Sequence, residues 1–215
     1  MGIYWTAGKR VTWASGESLY PAIAVATDGR VHLVWNDDKS GNREIYHRKS
    51  YIGGDSWLTA QRLTWNLGNS SRPSIDHDTP SWFHVAWHDD TPGNFEIYYR
   101  KSTDEGATWG PTIRLTWNSG DSFFPSLAIH EDDTIHLAWQ DGTPGNFEIY
   151  YKKSTDGGAT WTAVQNLTLT SSYSGTPRIA AGFSPSFYPS IQLVWSEGMS
   201  ATNWEIYHKK NEEEK

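Results

Sequence analysis

Apolar and polar residues alternate along this chain in short runs, broken by clusters of Gly, Pro, Asn and Asp. Period-two alternation over roughly four to eight residues predicts β-strands, and no stretch of useful length carries the helical period. Between residues 122 and 169 the pattern predicts strands near Ser126–His130, Thr134–Trp139, Glu148–Lys153 and Val164–Thr168. Asp-Asp, Thr-Pro-Gly-Asn and Asp-Gly-Gly supply the turns between them.

The pattern recurs four times. Arg10-Val11-Thr12-Trp13 returns as Arg62-Leu63-Thr64-Trp65, as Arg114-Leu115-Thr116-Trp117 and, degraded, as Asn166-Leu167-Thr168-Leu169, at a spacing of 52 residues. Pro21, Pro73, Pro125 and Pro177 keep that period. So do Trp35, Trp87 and Trp139, with Trp195 displaced by a four-residue insertion. Glu-Ile-Tyr triplets begin at Glu44, Glu96, Glu148 and Glu205, and Trp57, Trp109 and Trp161 each precede the next Arg or Asn by five residues. Four-stranded units repeated at this period are the signature of propeller blades.

The expected fold class is therefore all-β: a single four-bladed β-propeller domain over residues 1–215. Its blades would fall near 18–65, 70–117, 122–169 and 174–210, the last completed by 3–13. Trp5 stands five residues before Arg10 and so joins the column of Trp57, Trp109 and Trp161. Pairing Trp204–Lys210 with a strand near Val11 is expected to close the ring and to hide two sheet edges together.

Composition narrows the function classes. The 215 residues include 13 Trp, 11 Tyr and 7 Phe, which suits an all-β protein with an aromatic core. Net charge is −7 with no basic stretch, so neither nucleic acid nor an anionic membrane surface is an expected partner. No apolar run approaches the ~18 residues of a spanning helix. The N-terminus lacks the basic and apolar regions of a signal peptide. With no Cys there is no disulfide framework, thiolate metal site or Cys nucleophile.

Ser102-Thr103-Asp104-Glu105-Gly106-Ala107-Thr108-Trp109 resembles the Asp-box, the Ser-x-Asp-x-Gly-x-x-Trp repeat of sialidase-like propellers. Ser154-Thr155-Asp156-Gly157-Gly158-Ala159-Thr160-Trp161 matches it equally well, and Ser50–Trp57 departs from it with Ile52 in place of Asp. The resemblance implies a turn between the third and fourth strands of a blade. Ser102, Asp104, Gly106 and Trp109, and Ser154, Asp156, Gly158 and Trp161, are then structural: Asp caps turn amides, Gly takes positive φ and Trp packs inward. Sialidases of that superfamily also carry an arginine triad, a Tyr nucleophile with a Glu partner, an Asp acid/base and usually six blades. Arg10, Arg62 and Arg114 match the triad in number, but sit in outermost strands away from the axis. No catalytic residue is assigned.

Strand order places the loops after the second and fourth strands on one face. Asp37, Asp89, Asp141 and Glu197 follow the Trp column there. They suit turn capping, and an acidic ring also offers oxygens to sugar hydroxyls or to Ca²⁺ or another cation. No cofactor is otherwise expected. His32, His84 and His136 share a column with Gln192, but lie in separate blades and read as core histidines, not metal ligands. Columns that vary between units point more sharply to function. Tyr20, Arg72, Phe124 and Thr176 form one at the channel mouth, and Asp76 stands alone among Ala24, Ala128 and Ala180. The reading these residues favour is a non-catalytic module binding carbohydrate or a protein partner through that face. A sialidase-like glycoside hydrolase and a purely structural repeat scaffold are the alternatives.

Overall fold

The protein is described here by a computed structural model that covers residues 4–51, 53–79, 81–130, 132–143, 145–183, 189–200 and 202–211. Its regular structure is entirely β. The first antiparallel sheet runs β1 (Ser18–Val25), β2 (Val31–Asp37), β3 (Glu44–Ser50) and β4 (Gln61–Arg62) in sequence order. The second repeats it as β5 (Ser70–His77), β6 (Phe83–Asp89), β7 (Glu96–Ser102) and β8 (Ile113–Arg114). The third is β9 (Ser122–Ile129), β10 (Ile135–Asp141), β11 (Glu148–Ser154) and β12 (Gln165–Asn166). The fourth has three strands, β13 (Tyr173–Phe183), β14 (Pro189–Ser200) and β15 (Asn203–Lys210).

The second and third sheets are buried on both faces between neighbouring sheets, and the outer face of the first is covered by Val11, Trp57 and Ala60, so β2, β6 and β10 are buried at every position. Leu63 of the first sheet packs with Ile75, Val85 and Trp87 of the second. Tyr99 and Leu115 of the second pack with Leu127 and Leu137 of the third, and Ile149 of the third with Leu193 and Trp195 of the fourth. The innermost strands follow: β1 lies on β5, β5 on β9 and β9 on β13.

Two boundaries differ from the sequence reading. The inner strands begin several residues before their proline, because a bulge lets the ladder continue past a residue without an N–H. The outer strands shrink to two residues, because a side chain takes over the ladder: the Thr64 hydroxyl accepts from the Ile45 amide at 2.8 Å, and Thr116 and Thr168 do the same for Ile97 and Ile149.

The N-terminal segment does not complete the fourth sheet. Residues 4–17 form no strand. Val11 packs against Leu33, Trp35 and Tyr46 of the first sheet, and its carbonyl accepts a hydrogen bond from Arg48 Nη1. Among the described residues, β13 and β1 do not pack on each other as the other inner strands do. Ile23 is 60% exposed, whereas its counterparts Ile75, Leu127 and Ile179 are at most 9% exposed. All eight residues of β15 are exposed. The three inter-sheet contacts set an arc, and among the described residues no strand of the first sheet packs on one of the fourth as these neighbours do.

Candidate functional site

The column Tyr20, Arg72, Phe124 and Thr176 occupies the bulges of the inner strands. All four residues are left-handed, with φ of 54°, 51°, 53° and 50°. The conformation costs each of them roughly 1–2 kcal/mol that Gly would avoid. At Arg72, Phe124 and Thr176 it persists because the preceding sheet accepts from the bulge amide. Asn36 Oδ1 accepts from Arg72 N at 3.3 Å and from Ser71 Oγ at 3.0 Å. His88 Nδ1 accepts from Phe124 N at 3.2 Å, and Gln140 Oε1 from Thr176 N at 2.9 Å. Burial pushes His88 down to about 3, so its ring stays neutral and can accept that bond. Sequence reasoning missed Asn36, His88 and Gln140. Their signal was available: each is a polar residue directly after the Trp column, inside a strand that is otherwise buried.

The bulges aim their side chains at one another. The Arg72 guanidinium carbon lies 3.9 Å from the Tyr20 ring centre and 4.4 Å from that of Phe124. The three line a cavity of about 320 Å³ with Ser74, Ser126 and Arg178. Ser74 Oγ and Ser126 Oγ accept from Leu127 N and Ile179 N across the sheet interfaces. The lining therefore holds two guanidinium groups, two aromatic rings and no carboxylate. It is chemically suited to hold an anion beside a flat face, and it offers no acid/base pair.

The other candidate residues lie elsewhere. Asp76 makes no ion pair with Arg72; its carboxylate accepts from Ile129 N at 2.8 Å and His77 N at 2.9 Å, joining the second sheet to the third. Burial raises its pKa. Asp37, Asp89, Asp141 and Glu197 are buried and do not form an open ring. Asp37 accepts from Ser18 Oγ, Trp35 Nε1 and Lys39 N; Asp89 from Ser70 Oγ and Thr91 N; Asp141 from Ser122 Oγ, Trp139 Nε1 and Thr143 N; and Glu197 from Trp195 Nε1. Among the described residues no three His, Asp or Glu side chains group as metal ligands.

The Asp-box-like turns are self-contained. Ser102 Oγ donates to Asp104 and accepts from Gly106 N at 2.8 Å, while Asp104 accepts from Thr108 N and its hydroxyl. The hydrogen bond from the Thr108 hydroxyl holds Asp104 below the usual carboxylate range; the equivalent Thr160 bond takes Asp156 to about 2. Gly106, at φ 71°, lies so close to His47 that a methyl there would come within 2.7 Å of the ring. Trp109 and Trp161 then pack edge-on against His47 and Tyr99 of the preceding sheet, at 5.2 and 5.3 Å. The histidine column serves the same interfaces: His32 bonds His47 at 3.0 Å, His84 bonds Tyr99 at 2.6 Å and His136 bonds Tyr151 at 2.8 Å. Arg62 and Arg114 pair with the buried Glu44 and Glu96 at 2.7 and 2.8 Å, far from any convergent triad.

No protein-family model matches the chain, and no curated protein matches it. Solved structures do. The α-L-arabinofuranosidase of Fusarium graminearum superposes with a TM-score of 0.68 at 16% identity, over 90% of this chain and 62% of that one. A Hadza microbial sialidase gives 0.65 at 14%, over 89% of this chain and 44% of that one. The endo-arabinase of Bacteroides thetaiotaomicron gives 0.63 at 15%, over 97% and 80%. The likeness is one of fold, carried by the four antiparallel sheets. The chain spans less than two thirds of the length of the arabinofuranosidase it matches.

Proposed function

We propose that this protein binds carbohydrate without cleaving it, and that the ligand carries an acidic group. One observation supports this above the others: Arg72 is held between Tyr20 and Phe124 on strained bulges, with Arg178 lining the same cavity. With both rings packed against the guanidinium carbon, its N–H groups are the part that can bond a carboxylate. The neighbouring rings offer flat surfaces for a sugar. Keeping Tyr, Arg and Phe where Gly would be less strained is reasonable only if the side chains are used.

The test is calorimetric titration with uronate- or sialate-bearing oligosaccharides and their neutral counterparts. Acidic ligands should bind and neutral ones should not. Arg72→Gly should abolish binding while leaving the melting temperature unchanged or raised, because it relieves the left-handed strain. Equal binding of neutral and acidic sugars would sink the reading. The fold likeness to an arabinofuranosidase and a sialidase favours hydrolysis as a second reading. Turnover of a fluorogenic sialoside or arabinofuranoside that disappears in Arg72→Gly would establish it in place of the first.

A further inference from the structure

A socket lies between the third and fourth sheets. Tyr151, Leu167, Ile179, Ile191 and Leu193 line a largely apolar cavity of about 180 Å³ that Lys209 and Lys210 also border. One unit earlier the corresponding Tyr99, Leu115, Leu127 and Leu137 pack around Trp161. The tryptophan that belongs to the fourth unit by its place in the repeat is Trp5, and Trp5 is 95% exposed.

The segment that follows Trp5 is already shaped as an outer strand. Arg10 Nε donates to Thr12 O at 2.6 Å, as Arg62 does to Thr64 O at 2.6 Å and Arg114 to Thr116 O at 2.7 Å. Arg48 donates to Val11 O as Arg100 donates to Leu63 O. Within the first and second sheets that pose has a Glu-Ile-Tyr strand beside it, and the arginine closes on that strand's glutamate. No strand lies beside Lys9–Val11, and none lies on the outer side of β15, among the described residues. Glu205 of β15 stands in the column of Glu44 and Glu96. Val194 and Ile206, in the columns of the fully buried Val34 and Ile45, are 38% and 73% exposed. The two ends of the arc therefore present the two halves of an interface that the chain itself builds three times.

We propose that two copies of this chain join head to tail. The Trp5–Trp13 segment of one copy completes the fourth sheet of the other, with Trp5 in the cavity over Tyr151 and Arg10 paired with Glu205. Val11 is already held on the first sheet of its own chain. Among the described residues, the first and fourth sheets of one arc do not pack together as neighbouring sheets do. The contact is heterologous, so it closes as a ring of two arcs or propagates as a fibre.

Sedimentation of the full chain over a wide concentration range tests this. The chain should form a dimer or larger species. Trp5→Ala and Arg10→Glu should each shift the dissociation constant at least tenfold towards monomer, with an unchanged circular dichroism spectrum. The double variant Arg10→Glu with Glu205→Arg should regain assembly. Three results would overturn the proposal: a monomer at every concentration, whether Trp5 is buried or open; an assembly indifferent to Trp5→Ala and Arg10→Glu; or a double variant that stays monomeric.

Discussion

Strands β7 and β15 share the run Glu-Ile-Tyr and a basic tail, yet they live in opposite surroundings. Ile97 of β7 is fully buried between sheets, while Ile206 of β15 is 73% exposed. Glu96 is buried against Arg114, whereas the matching Glu205 has no arginine beside it among the described residues. The alternation that predicts a strand is the same in both. Burial comes from the neighbouring sheet, and only β7 has one on each side.

That contrast yields three measurable consequences. The largest concerns the isoleucines. Ile97→Ala should cost about 3 kcal/mol in chemical denaturation, through lost transfer energy and the cavity left behind. Ile206→Ala in the dissociated chain should cost less than about 0.5 kcal/mol. Equal losses would mean that β15 is covered after all. Next come the arginines. Arg114→Met should cost about 2–3 kcal/mol, because it leaves the carboxylate of Glu96 buried without its cation. Arg10→Met should leave the stability of a single chain unchanged.

The smallest effect, per residue, is the pH response of the sheet interfaces. Burial holds His32 and His88 near 3 and His47 and His136 near 4, against about 6.5 when unfolded. The unfolded chain therefore takes up protons first on acidification. Stability should be level well above pH 6.5 and fall as the pH drops from 6.5 towards 4. His88→Gln preserves an acceptor for Phe124 N and should flatten part of that slope in thermal melts. A slope of the opposite sign would mean that these rings are charged in the fold.

The repeat was legible because each unit repeats its own punctuation, from Pro21 to Trp57 and onward, so the sheets and their order followed from spacing. The strained bulges were legible only as a column of unlike residues, since nothing in Tyr20 or Arg72 announces a positive φ. The role of Asp76 was hidden for a different reason: its partner, the Ile129 amide, is 53 residues away on another sheet. The pairing of the N-terminal segment with β15 is not seen among the described residues, where the fourth sheet has three strands. Strand pairing within a unit is a local property of the repeat, whereas closure depends on how four sheets sit on one another.

At residues 72, 124 and 176 the acceptor that holds the bulge comes from the strand next door, so the side chain at the bulge contributes little to folding. Those three are then replaceable fingertips on a hand whose bones are fixed elsewhere. Such a protein can change what it grips by rewriting those codons, with its architecture left undisturbed.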